Sequence, residues 1–216
     1  MPRVSEEHLE RRRQQILDAA RLCFARKGFY ETSMQDVFTE SGLSAGAVYR
    51  YFKSKDELIT ALATQTTVHL RVVMDEAIRH DPLPTPAELI TTIAEEVVRQ
   101  SGPDGPVRLA PQAWALALVH PEAGEMVRTT MLAMRALWVT YAERMCAQGW
   151  LPDDADTDAV AKAIIGLLPG FILQHLILGD TAPETLARGV RTLLPFGETP
   201  HTGKSRLRRT NSPTAQ

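Results

Sequence analysis

Apolar residues recur at helical spacing through most of this chain, and the segments between them are short and rich in turn formers. Ile16, Ala19, Ala20, Cys23 and Phe24 mark one side of a helix beginning near Arg11 and running to Lys27, with Gly28 as its stop and Phe29-Tyr30 as a hydrophobic contact beyond it. Leu58, Ile59, Leu62, Val68, Leu70, Val73 and Met74 define a long helix from Lys55 to about His80, which Asp81-Pro-Leu-Pro-Thr-Pro86 breaks. Ala87–Gln100 is amphipathic through Leu89, Ile90, Ile93, Val97 and Val98, and Ser101-Gly-Pro-Asp-Gly-Pro106 is a loop. Helices follow at Val107 to about Val119 and Glu122 to about Gln148, divided by His120-Pro121.

The last two elements differ in character. Asp156–Leu178 is the most apolar segment, hydrophobic nearly all round from Ala163, with a bend expected at Pro169-Gly170. It falls short of a clean membrane span, because Lys162, Gln174, His175 and Asp180 lie in it or at its ends. A helix apolar on both sides is expected to bury one side on its own body and the other on a partner subunit. Pro183–Leu194 is a final amphipathic helix, and from Gly197 the chain is polar, basic and expected to be disordered. The resulting layout is residues 8–54 as an N-terminal unit, 55–196 as a helical body and 197–216 as a tail.

The stretch Thr32–Leu58 carries the most chemistry. Ser33 with Asp36 three residues later is a capping box opening a short helix, which Ser41-Gly42 ends. Ser44 then caps a second helix over about Ala45–Lys53, and Ser54 with Glu57 opens a third by another capping box. Two short helices this close read as a helix-turn-helix. In the second, Ala45, Val48 and Phe52 fall on one side to pack inward, while Gly46, Ala47 and Arg50 face away with Tyr49 and Lys53 at the edge. Such a surface suits a major groove: small residues admit the DNA backbone, and Tyr, Arg and Lys reach phosphates or base edges.

The run G-x-x-x-G-x-x-Y-x-Y-F-x-x-K-x-x-L from Gly42 to Leu58 resembles the DNA-binding signature of the TetR-like (TetR/AcrR) regulators, and Ile16–Ser33 is similar to that family's first helix. Tyr51 stands where the family usually has His. The resemblance implies an all-α fold, with a three-helix DNA-binding head on a helical-bundle body for ligand binding and dimerisation. It implies a repressor that binds a palindromic double-stranded operator as a homodimer and is released by a small-molecule inducer. The candidate DNA-binding set is Thr32, Ser33, Ser44, Ala45, Gly46, Ala47, Tyr49, Arg50, Tyr51, Lys53 and Lys55. In the family the last two helices pair with their copies, which proposes Ile164, Leu167, Leu168, Leu186 and Val190 as interface positions.

Charge supports this division of labour. The net charge is −2, yet residues 1–55 carry 10 Lys/Arg against 7 Asp/Glu and residues 56–196 carry 10 against 18. A basic head on an acidic body fits DNA binding by one end. Arg11, Arg12 and Arg13 read equally as phosphate contacts or as a solvated basic turn, and the basic tail is open to the same two readings. The two cysteines, Cys23 and Cys146, make no disulfide framework, and with no signal peptide the expected setting is a reducing cytoplasm.

No phosphate loop, metal-ligand cluster or activated nucleophile is legible, so no enzyme activity, metal or cofactor is expected. Trp114, Met131, Met134, Trp138, Tyr141 and Phe171 form a candidate ligand pocket, with Gln112, Gln174 and His175 as its polar contacts. Each of these residues taken alone reads rather as plain core than as a ligand contact. The rival function is an all-α small-molecule-binding protein or enzyme whose helix-turn-helix is merely structural. An exposed Gly46/Tyr49/Arg50/Lys53 surface discriminates against it, since a structural motif would bury that face.

Overall fold

The periodicity becomes ten helices in a computed structural model that describes residues 6–196. The expectation for the tail from Gly197 lies outside the described residues. No strand occurs among the described residues. The first helix, α1 (Glu6–Glu31), starts earlier than its apolar pattern, because Glu6 and Glu7 suit the positive end of a helix dipole. It is kinked, not stopped, at Gly28 (φ 78°, ψ 165°). Phe29 turns into the core at 5 % exposure, whereas Tyr30, expected beside it, stands 73 % exposed.

Helix α2 (Met34–Ser41) has the expected capping box, with Asp36 N–H donating to Ser33 Oγ at 3.2 Å and Ser33 N–H to Asp36 Oδ2 at 2.8 Å. It ends at Gly42, whose φ of 66° lets Leu43 N–H reach back to Phe38 O at 3.2 Å. Helix α3 spans only Ala45–Tyr49, shorter than expected, and loose turns carry the chain to Ser54. The second capping box is half formed. Glu57 N–H donates to Ser54 Oγ at 3.1 Å, but the Glu57 carboxylate accepts from Lys53 N–H at 2.6 Å.

The long connector α4 (Lys55–Arg79) buries Leu58, Ile59, Leu62, Leu70, Met74 and Ile78. Val68, assigned to its apolar side, is 50 % exposed, as is Val72, so the buried stripe skips a turn. Its last carbonyls are capped from outside, by Arg144 donating to His80 O at 3.0 Å and to Ile78 O. Helix α5 (Pro86–Arg99) opens with a full Thr85/Glu88 capping box and is tied to α4 through the buried Glu96, which accepts from or pairs with His69 Nε2 at 2.9 Å and also holds Arg99 and Gln100. A 3-10 turn at Pro106–Leu109 leads into α6 (Ala110–Ala117), and α7 (Pro121–Ala147) runs the length of the body.

The apolar segment divides where proline chemistry requires. Pro169 has no N–H and crowds the carbonyl four residues back, so α8 (Thr157–Ile165) ends at Gly166 and α9 (Leu167–Leu173) follows, finishing in a π turn over Gln174–Leu178. Thr157–Leu178 is long and apolar enough by composition to cross a membrane. One of its sides nonetheless belongs to the core, through Ala161, Ile164, Phe171 and Ile172. Helix α10 (Pro183–Leu193) closes the body against α5.

No gap in packing falls at residue 54/55. The core of α1–α3 includes Leu58, Ile59 and Leu62 from α4, and also Leu109, Leu116 and Ala123 from the body. Two further clusters fill the body, one around Trp138 and Tyr141 and one around Val107 and Phe171.

Candidate nucleic-acid interface and ligand cavity

The exposed face of α3 forms from the bottom up. Ser44 caps the helix through Ala47 N–H at 3.3 Å, Val48 anchors it with no exposure, and Phe52 follows it into the core. Ser44, Ala45, Gly46, Tyr49, Arg50 and Lys53 are left exposed, with Ala47 half-buried. Ala45, expected to pack inward, is therefore on the outer face, because a helix this short touches its neighbours mainly through Val48. A Cβ on Gly46 would meet nothing within 4 Å, so the fold itself does not call for a glycine there. Tyr49 stands edge-on to Phe38 at 5.4 Å, which sets its ring direction, and Lys53 Nζ donates to Tyr49 O at 2.5 Å. The Arg50 side chain makes no hydrogen bond or ion pair among the described residues, while its backbone N–H donates to Val48 O.

Several expected DNA contacts are occupied within the fold instead. Thr32 is 2 % exposed, and its hydroxyl donates to Gly28 O at 2.7 Å and Cys23 O at 3.2 Å. Lys55 Nζ donates to Phe29 O at 2.7 Å, Thr32 O at 2.9 Å and Tyr30 O at 3.4 Å, and lies 4.4 Å from the centre of the Phe29 ring. The kink at Gly28 frees these carbonyls from helical partners, and the ammonium supplies three donors to satisfy them. Tyr51 is half-buried against the core of α1–α3. Ser33 stays exposed at the N-terminus of α2, where Asp36 both caps the helix and pairs with Lys27 at 2.6 Å. Lys27 and then Ser33 hold the Asp36 carboxyl far below the ordinary carboxylate range. Of the three arginines, Arg13 lies 5.4 Å over the Phe52 ring, Arg12 donates to Gln15 at 2.8 Å and Arg11 meets His8 at 3.1 Å.

The body holds a partly open cavity of about 110 Å³ between α4, the 3-10 turn, α6, α7 and the α8–α9 junction. Trp114, Met131, Met134 and Trp138 line it as expected. Tyr141 does not: it is fully buried one turn away, with its hydroxyl donating to Pro84 O at 2.7 Å and burial pushing its pKa up. Phe171 and His175 also lie elsewhere, stacked at 5.7 Å, with the imidazole held between Ser101 Oγ at 3.0 Å and Thr181 O at 3.1 Å. Gln174 is exposed and bonds its own helix at Gly170 O. The polar wall consists of Thr66, Thr67 and Thr130, which helical spacing alone does not distinguish from surface threonines.

Gln112, expected in the pocket, performs a different task. Its Oε1 accepts from Phe29 N–H at 2.7 Å, the donor that the Gly28 kink leaves without an intrahelical carbonyl. Around it, Arg26 pairs with Asp104 at 3.5 Å and Arg21 donates to Asp104 O. Leu109 belongs to both places at once, lining the cavity and completing the core of α1–α3. The segment from the 3-10 turn into α6 thus touches both the cavity and the core of α1–α3, as α4 does.

The positions proposed for a partner subunit are mostly used inside the chain. Ile164 and Val190 are 6 % and 2 % exposed, Leu186 is half-buried on the core, and Leu168 lines the cavity. Leu167 also packs against the core cluster around Trp138. The outward side instead reads Ala159, Ala163, Gly166, Gly170, Leu173 and Ile177 along α8–α9, with Gly189 and Leu193 on α10. That outward side mixes small residues with the exposed large side chains of Leu173, Ile177 and Leu193.

Comparison with known proteins agrees with this anatomy. Residues 16–62 match the family described as bacterial regulatory proteins, tetR family, and residues 86–195 match the BetI-type transcriptional repressor C-terminal domain. A transcriptional repressor of Mycobacterium tuberculosis, Rv1474c, is 44 % identical over 73 residues, covering 34 % of this chain and 39 % of that protein. The regulator TtgR of Pseudomonas putida is 24 % identical over 184 residues, covering 84 % of this chain and 88 % of its own. Among solved structures, GusR of Salmonella enterica superposes with a TM-score of 0.71 at 23 % identity, over 90 % of this chain and all of that one. No group of three or more metal-ligating side chains is gathered among the described residues. With both halves of the chain matched and a helix-turn-helix laid open to solvent, this protein is a member of the TetR family of bacterial transcriptional regulators and not an enzyme.

Proposed function

We propose that this protein is a ligand-responsive repressor, binding a palindromic operator as a two-fold dimer in the cytoplasm and released when a small molecule enters the body cavity. Support for DNA contact comes from Gly46, Tyr49, Arg50 and Lys53, exposed on one side of α3. Gly46 admits close approach of the DNA backbone, Tyr49 and Lys53 meet phosphates, and Arg50 meets a base edge. Lys55 is left out of this set because its donors are satisfied within the fold. Pairing through the outward side of α8–α9 and α10 would set two α3 helices about one DNA turn (~34 Å) apart.

The observation that carries ligand response is the double use of Pro106–Ala113. This segment walls the cavity through Val107, Leu109, Ala110 and Ala113, and supports α1 through Leu109 and Gln112. A molecule that displaces the wall must disturb the seat of the DNA-binding head. Linkage then requires operator DNA to weaken the ligand by the same factor.

Sequencing DNA that the protein recovers from a genomic fragment pool tests the reading. Two inverted half-sites centred about one turn apart are expected, and Arg50→Ala should lose about 1–3 kcal/mol of preference at one position in each half-site. Fragments without inverted symmetry, or an Arg50→Ala protein of unchanged preference, would overturn it.

A further inference from the structure

The wall of the body cavity is graded in polarity. Helices α4 and α7 run in the same direction, meeting where Thr64 donates to Met126 Sδ at 3.4 Å and again where Arg144 donates to Ile78 O and, at 3.0 Å, to His80 O. Thr66, Thr67 and Thr130 lie within about one helical turn of the first contact. They form a half-buried edge and are the only lining residues that carry a hydroxyl. Away from that edge the wall includes Leu70, Val107, Leu109, Ala113, Met134 and Ile172, each no more than 8 % exposed. This apolar floor takes in Val107, Leu109 and Ala113 of the segment that seats α1.

Neither the edge nor the floor compensates a charge. None of the lining residues is acidic, basic or a histidine. A cation would leave water without meeting a carboxylate, and attraction to the rings of Trp114 and Trp138 returns only part of that loss. An anion fares no better, because Thr66 and Thr67 already give their hydrogens to Leu62 O at 3.1 Å and Ala63 O at 2.8 Å, leaving only the Thr130 hydroxyl of the edge to donate. What Thr66 and Thr67 keep is oxygen lone pairs, which accept from a neutral donor. The cavity is partly open, so a ligand extends past its 110 Å³ without penalty and its length is not restricted.

We infer that this cavity binds uncharged amphiphiles: a hydrocarbon body lies on the buried floor, and a single neutral polar group, best a hydroxyl, meets the threonine edge. This rests on the reading of the cavity as the regulatory site and names the chemical class that site takes.

Four probes separate the alternatives on the full-length protein: n-butanol, n-hexanol, hexanoate and hexyltrimethylammonium. In calorimetry, affinity should rise from butanol to hexanol by about fourfold for each added methylene, the gain from burying it. Both ions should bind at least about tenfold more weakly than hexanol, for want of a counter-charge. In protein labelled with ¹³C-methyl methionine, the Met134 signal should shift with hexanol, as contact with the floor requires. Thr67→Val should weaken hexanol about threefold and keep the gain per methylene, which separates a lost edge contact from lost packing. Ala113→Phe fills the floor and should abolish the Met134 shift. If that variant does not fold, the Met134 signal and the chain-length dependence of the unaltered protein still decide. Equal affinity for butanol and hexanol, an ion bound as tightly as hexanol, an unmoved Met134 signal, or a Thr67→Val protein of unchanged hexanol affinity overturns the inference. Operator affinity in the same samples is a separate readout. Hexanol that shifts Met134 without altering operator affinity would defeat the inducer reading alone. An ion that shifts Met134 and releases the operator would defeat the ligand class alone.

Discussion

Replacing Lys55 by methionine discriminates between two physical roles for one charge. The side chain keeps its length and apolar stem, and only the ammonium is lost. In the structure that ammonium bonds Phe29 O at 2.7 Å and Thr32 O at 2.9 Å, with a longer contact to Tyr30 O at 3.4 Å. Charged hydrogen bonds contribute about 1.5–3 kcal/mol each. The site is half-buried, so water recovers part of that loss, and the nearby Phe29 ring at 4.4 Å adds about 0.5–1 kcal/mol of cation–π attraction. The net expectation is a loss of about 2–4 kcal/mol, since non-additivity keeps the sum below the separate terms. For a chain of this size that lowers the thermal midpoint by roughly 4–16 °C. Urea unfolding at constant slope measures the stability, and operator affinity between 50 and 200 mM salt, as about the range used for such slopes, measures phosphate contact. The salt slope should not change. If Lys55→Met left stability intact and lowered the slope by about 0.9, the lysine would be a phosphate contact and the structural role wrong.

Gln112→Leu should leave Phe29 N–H without its acceptor, costing about 1 kcal/mol with water partly substituting, and amide exchange at Phe29 should quicken. It should also blunt the effect of any cavity ligand on operator affinity, and a variant with full ligand response would show that this strut is not the route. Ala163→Glu or Gly170→Arg, on the exposed side of α8–α9, should give folded monomers with weak operator binding; sedimentation showing an unchanged dimer would exclude that face. Asp36 titrates far below the usual carboxylate range because of Lys27 and Ser33, so its stabilisation is present at neutral pH and fades as pH falls below the carboxylate range, about 4. Asp36→Asn should therefore be the less stable protein at pH 7 and converge on the parent in acid, as urea midpoints across pH would show.

Local chemistry was readable from residues alone. The Ser33/Asp36 box, the Gly42 turn and the Ser44 cap depend on neighbours within about one helical turn, and the structure has them where the residues place them, whereas the division expected at Pro169-Gly170 falls at Gly166. Periodicity likewise yielded the helices of the body, because burying one face needs only a repeating pattern. What the pattern could not supply was the destination of a polar group or the identity of the surface a face meets. Lys55 and Thr32 look like DNA contacts until the Gly28 kink frees carbonyls that need donors. Gln112 looks like a pocket residue until the same kink leaves Phe29 N–H without a partner 83 residues away. Ile164 and Val190 look like interface residues because they are large and apolar, and for that reason the protein's own interior takes them. Satisfaction of hydrogen bonds and competition for buried volume are settled between segments distant in the chain, so only the tertiary structure decides them.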